Sequence, residues 1–110
     1  MDHALIPDAL LARVADRFRI LGDATRLSIL RELLAAGELN VGGLVDRLGM
    51  SQANVSKHLR VLSDAGIVAR RPEGTAAFYR IADPTITQLC DIVCGRLREQ
   101  VAADARALAV

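Results

Sequence analysis

Two thiols, Cys90 and Cys94, are the only cysteines of this 110-residue chain, and they stand four residues apart. On a helix that spacing places their Cβ atoms ~5–6 Å from each other, beyond the ~3.8 Å that a disulfide prefers. Three chemistries fit such a pair. Two thiolates can grip one soft ion such as As(III), Cd(II) or Cu(I), with a third donor from His3, Asp91 or a second chain. Alternatively, the thiols can sense oxidants or sulfur species, pairing between subunits. The plain alternative is that both are small apolar fillers of an interface. A second group, Ser51, Gln52, Ala53, Asn54, Ser56, Lys57 and Arg60, is packed into ten residues. Its polar members donate or accept hydrogen bonds at base edges and phosphates, and Ala53 is small enough for close approach or a thymine methyl. Arg70, Arg71, Thr75 and Arg80 follow shortly after. His58 flanks the group and reads as a packed or phosphate-contacting side chain rather than a metal ligand. Tyr79 reads as a packing residue, and His3 as part of a disordered arm.

These residues need elements to hold them. Leu10, Leu11, Val14, Phe18 and Leu21 recur at helical spacing between Asp8 and Gly22. Asp23 caps a second helix with Leu27, Leu30, Leu33 and Leu34 on one face, ending before Gly37. Asn40 caps a short third helix that stops at Gly49. Ser51 caps a fourth, running to about Ala65. Val55, Leu59 and Leu62 of this fourth helix lie within ~60° of one another on the helical wheel, and Ala53, Lys57, Arg60 and Asp64 face the other way. Residues 67–71 and 77–81 are β-prone and flank the turn signal Pro72-Glu73-Gly74-Thr75. They predict one hairpin with a basic outer face. Asp83-Pro84 opens a last helix. Its apolar stripe of Ile86, Leu89, Cys90, Val93, Leu97 and Val101 is widened by Ile92 and Cys94. A stripe that broad predicts contact beyond its own domain.

The short third helix, a glycine turn and the Ser-capped fourth helix form a helix–turn–helix. In that arrangement the second helix enters the DNA major groove with its N-terminal residues near base edges, and the helix N-terminus favours phosphate. A basic hairpin directly after it makes a winged helix. Charge agrees with this reading. Residues 1–50 and 83–110 each carry a net −1, whereas residues 51–82 carry +3, although the whole chain is only +1. Positive charge gathered in one segment is what an anion-facing surface requires.

Composition bounds the rest. A hydrophobic share of 52% excludes a disordered chain, and an aromatic share of 3% without Trp favours packed helices over a β-sandwich. The expectation is one domain, residues 1–110, mainly α with a small β-hairpin wing and five helices, with residues 1–7 and 103–110 frayed. No apolar run reaches membrane-spanning length and no secretory signal stands at the start. Two cysteines make no disulfide scaffold, so a reducing cytoplasm is the expected compartment. No nucleophile–base pairing or phosphate loop points to an enzyme.

Three blocks carry a family resemblance: Asp23-Ala-Thr-Arg-Leu-Ser-Ile-Leu, Ser51-Gln-Ala-Asn-Val-Ser-Lys-His-Leu-Arg-Val-Leu and Ala65-Gly-Ile-Val-Ala-Arg-Arg. With the wing end Tyr79-Arg80-Ile81, they resemble the ArsR/SmtB family of bacterial repressors over roughly residues 10–100. The resemblance implies a homodimer joined through its first and last helices, bound to double-stranded operator DNA and released by an inducer. The family's thiolate site in the third helix is missing, because Asn40 and Gly42 stand where it has cysteines. Its second metal site maps to Asp83, Thr85, Arg96 and Glu99, where both imidazoles are gone and Arg96 would repel a cation. Cys90 and Cys94 are left as sensor candidates. A repressor with no metal site, and a winged helix that binds protein rather than DNA, are the alternatives.

Overall fold

The computed structural model describes residues 5–109. The expectations for His3 and the extreme N-terminal arm lie outside them. Element order is α1 (Asp8–Leu21), α2 (Ala24–Ala36), β1 (Leu39–Asn40), α3 (Val41–Leu48), α4 (Gln52–Asp64), β2 (Val68–Glu73), β3 (Ala76–Ile81) and α5 (Pro84–Leu108). The helix starts are set by local chemistry. Asp23, Asn40, Ser51 and Asp83 each accept a backbone N–H of the first turn, from Arg26, Gly43, Asn54 and Thr85. Such a cap satisfies a donor that the helix itself leaves without a partner. Gly49 ends α3 in the left-handed region, φ 65°, which a side chain would disfavour.

The core lies where α2, α3, α4 and the root of the wing converge. Ile29, Leu33, Leu44, Val55, Leu59, Leu62 and Ile67 are fully buried there. Burying each such side chain is worth ~1.5–3 kcal/mol. Val55, Leu59 and Leu62 form the inner edge of α4, as its periodicity predicts.

Three features depart from the sequence reading. The sheet has three strands in the order β1-β3-β2, all antiparallel, because Leu39 pairs with Tyr79 and Asn40 with Phe78. The turn is shorter than expected: Pro72 and Glu73 belong to β2 and pair with Ala77 and Ala76, leaving Gly74 and Thr75 at the tip. Pro72 is tolerated on β2 because that strand is an edge. Finally, α5 continues helical to Leu108, past residue 103 where fraying was expected. Its last turns are rich in alanine and arginine, strong helix formers.

The outer helices stay largely uncovered. Leu10, Leu11 and Phe18 of α1 and Ile92, Val93, Leu97 and Val101 of α5 are all exposed. Ile86 is the one buried residue of α5.

Candidate nucleic-acid interface

Helix α4 is seated by its apolar edge and opens the opposite side to solvent. Gln52, Ala53, Ser56, Lys57 and Arg60 are exposed, and Asn54 is half-buried. The Ser51 hydroxyl accepts the Asn54 N–H at 3.2 Å. The other amides of the first turn remain available, a ready site for an anion. Arg60 lies 4.0 Å from Asp64, one turn on, with both side chains well exposed. Screening by water leaves such a pair weak, so Arg60 retains charge for another partner.

The wing stands beside this helix and is less uniformly basic than expected. In the β2–β3 register Arg71 faces Phe78, and Ala69 faces Arg80. Alternation puts Ala69, Arg71 and Glu73 on one face with Ala76, Phe78 and Arg80. Val68, Arg70, Tyr79 and Ile81 share the other face, which packs on the core at its root. Tyr79 is a packing residue, as predicted. Arg70, Arg80 and Thr75 are exposed and without a side-chain ion pair or hydrogen bond among the described residues. Arg71 differs. Its Nη1 donates to Glu73 at 2.9 Å, its Nε donates to Glu38 at 3.3 Å, and its guanidinium lies 5.1 Å from the Phe78 ring centroid. Hydrogen bonding from Arg71 holds the Glu38 carboxyl below its ordinary range, and the two carboxylates push Arg71 up. Arg71, expected at phosphate, is held here by Glu38 just before β1, by Glu73 of β2 and over Phe78 of β3. Glu38 was missed because it lies 33 residues away in sequence.

His58 is packed rather than surface-facing, with 7% exposure and Nδ1 3.2 Å from Arg26 Nη1. This agrees with the packed reading.

The two thiols lie on the α5 side of an apolar groove lined also by Phe18, Leu27 and Leu34. Cys90 is half-buried against the core and Cys94 is exposed. Burial, then the charge of Asp91, pushes the Cys90 thiol up, which disfavours the thiolate that a soft metal binds. Among the described residues no three His, Cys, Asp or Glu side chains converge on a possible metal position. The described residues of one chain thus supply two sulfur ligands and no group of three.

Comparison with known proteins places this geometry. A helix-turn-helix domain family matches residues 21–71. An uncharacterized helix-turn-helix-type transcriptional regulator of Methanocaldococcus jannaschii is 40% identical over 81 residues, 74% of this chain and 91% of the relative. The arsenical resistance operon repressor of Bacillus subtilis is 31% identical over 80 residues, 73% of this chain and 76% of that protein. A solution structure from Mycobacterium bovis, described as a homodimeric winged helix-turn-helix DNA-binding domain and a possible ArsR-family regulator, superposes with a TM-score of 0.71. It is 35% identical, over 94% of this chain and 90% of that one. With its capped α3–α4 pair, its wing and these relatives, the chain belongs to the ArsR/SmtB family of winged-helix transcriptional repressors.

Proposed function

We propose that this chain binds operator DNA as a homodimer, with α4 in the major groove and the wing tip on the adjacent backbone. The observation that carries the reading is the open face of α4, where Gln52, Ser56, Lys57 and Arg60 project beside an uncovered helix N-terminus. In this arrangement Ser51, Gln52, Ala53, Asn54 and Ser56 lie nearest the bases. Lys57, Arg60, Arg70, Arg80 and Thr75 meet phosphates. Such a protein works where the DNA is, in the cytoplasm, and no described helix is long and apolar enough to cross a membrane. Its role is DNA binding, a reading supported by the helix-turn-helix family match and by a relative named as a repressor.

Duplex binding titrated against salt tests this. Affinity should fall steeply, and Lys57→Ala with Arg60→Ala should flatten the salt slope by about 2, near one per phosphate contact. Gln52→Ala should instead lose ~1–3 kcal/mol of discrimination between operator and random duplex. Unchanged affinity in the Lys57/Arg60 variant rules the assignment out.

Release by an inducer is proposed at Cys90 and Cys94, the only thiols of the chain. The reading is supported by a relative named for arsenical resistance and by the place of both thiols on the groove of α5. A third donor would come from Asp91, His3 or a second chain, or the thiols respond by oxidation. A change there would repack α5 and loosen DNA by roughly 5–150-fold. Cys90→Ser/Cys94→Ser should bind DNA normally and ignore As(III), Cd(II) and thiol oxidants. A double variant that still responds like wild type makes the cysteines interface filler.

A further inference from the structure

The inner edge of α4 is apolar except at one position. His58 is the single buried polar residue among the described residues, and it meets the other uncommon feature of this core, the half-buried Arg26 of α2. The Arg26 guanidinium has no lone pair to offer and stays charged at any ordinary pH. At 3.2 Å from Arg26 Nη1, His58 Nδ1 therefore accepts, and the neutral ring carries its proton on Nε2. The same guanidinium donates through Nε to the Ile20 carbonyl at 2.7 Å, an acceptor in the last turn of α1 with no helical partner of its own. The Arg26 backbone N–H donates to Asp23 at 3.0 Å, and the guanidinium lies 3.9 Å from the same carboxylate. One side chain thus joins the end of α1, the cap of α2 and the back of the recognition helix.

Apolar contacts hold α4 against α2 without fixing its rotation, because burial is non-directional. A hydrogen bond from a rigid guanidinium to a ring nitrogen is directional. We propose that Arg26 is a positioning residue for DNA binding, which orients α4 through His58, and that the contact requires a neutral imidazole, so that operator affinity falls in acid. This rests on the reading of α4 as the DNA-contacting helix. A proton added at Nδ1 would set two donors and two positive charges face to face at this distance, and the contact must open. One carboxylate, Asp23, is close enough to attract a charged ring. Asp23 is already engaged by Arg26 and the first turn of α2. Lys57 and Arg60 of α4, Asp46 and Arg47 of α3, and Arg70, Arg71 and Glu73 of β2 are all exposed. The sign separates this device from simple electrostatics. Protonating a histidine near a duplex ordinarily tightens binding, because it adds positive charge. Here acid should loosen it.

The test measures operator affinity by fluorescence anisotropy from about pH 8 to about pH 5.5, the range in which imidazoles change charge. The dimer of the 110-residue chain is used in a His3→Gln background, so that His58 is its one remaining imidazole. The parent should lose about tenfold or more in affinity across that range, the size of one charge-assisted hydrogen bond. His58→Asn keeps an acceptor near the Nδ1 position and cannot titrate. It should bind within about threefold of the parent at neutral pH and lose the acid response, since an equivalent bond survives. Arg26→Lys keeps the charge but cannot span Ile20 and His58 together. It should lose about tenfold in affinity at neutral pH, with the dimer intact by sedimentation. Imidazole 15N spectra of the parent should show the Nε2–H tautomer, a readout that needs no variant to fold. Acid-independent affinity in the parent, or an Nδ1–H tautomer, overturns the proposal while leaving DNA binding standing. A parent that binds no duplex at any pH overturns both.

Discussion

A guanidinium held between two carboxylates has little charge left to offer a phosphate. Arg71 is so placed, between Glu38 and Glu73, whereas Lys57 has no such partner among the described residues. Lys57→Ala should therefore lower the salt slope of DNA binding by about 1, and Arg71→Ala by clearly less. Glu38→Gln should raise affinity, most at low salt, because it removes a negative charge from the wing face and frees Arg71. Anisotropy titrations at several salt concentrations check all three, and an Arg71→Ala slope change as large as that of Lys57→Ala would contradict this placement. At this scale the sequence is informative where a residue acts alone. Ala53, Lys57, Arg60 and Asp64 are exposed as their wheel positions require. It is less informative where charge depends on a distant partner. The +3 of residues 51–82 left out Glu38, which the fold brings onto the same sheet.

Elements began where their caps predicted. The α5 start is the clearest case. Asp83 accepts from the Thr85 N–H at 3.0 Å and from the Thr85 hydroxyl at 2.7 Å, and Arg17 of α1 lies 3.7 Å from it. Asp83→Ala should cost ~1 kcal/mol, the usual value of a lost cap, in urea or thermal unfolding. The Thr85 hydrogen bonds, with help from Arg17, hold the Asp83 carboxyl below its ordinary 3.8. A depressed carboxylate contributes stability above its unfolded value and loses it as pH falls through the folded one. The gap between wild type and Asp83→Ala should thus be full at neutral pH and close at pH values below about 4. A gap that persists in strong acid would place the effect elsewhere. By contrast, β1 was not legible. Two residues are too few to show alternation, and Leu39–Asn40 is a strand only because β3 runs beside it.

Taken as a whole, the molecule is more extended than its length requires. Its radius of gyration is 17.0 Å, against ~13 Å for a compact chain of this size. The excess lies in α5, a helix of 25 residues in which every side chain from Arg96 to Ala109 is exposed. Apolar side chains on α1 and α5 left in water at this density mark an association surface. A second copy is the occupant that the homodimeric relative supports. Leu97, 53% exposed and on the groove, is the position at which to break it. Leu97→Glu should shift sedimentation from dimer to monomer and weaken binding to an inverted repeat by roughly 10²-fold or more, as two linked half-sites become one. A monomer that keeps wild-type operator affinity would exclude the paired arrangement.

What the sequence determined by itself is what short stretches of chain decide. Asp23, Asn40, Ser51 and Asp83 place the helix starts, Gly49 places the turn between α3 and α4, and the period of Val55, Leu59 and Leu62 chooses the inner side of α4. Capping, φ preference and amphipathic periodicity act within one or two turns, so they can be read without knowing the fold. Only the tertiary structure decided that Glu38 compensates Arg71 and that Arg26 reaches His58, pairs 33 and 32 residues apart. It alone left the stripes of α1 and α5 open to solvent. Those outcomes depend on which surfaces meet across the chain. A charge, a lone pair or an apolar face has no fixed meaning until its neighbour in space is known.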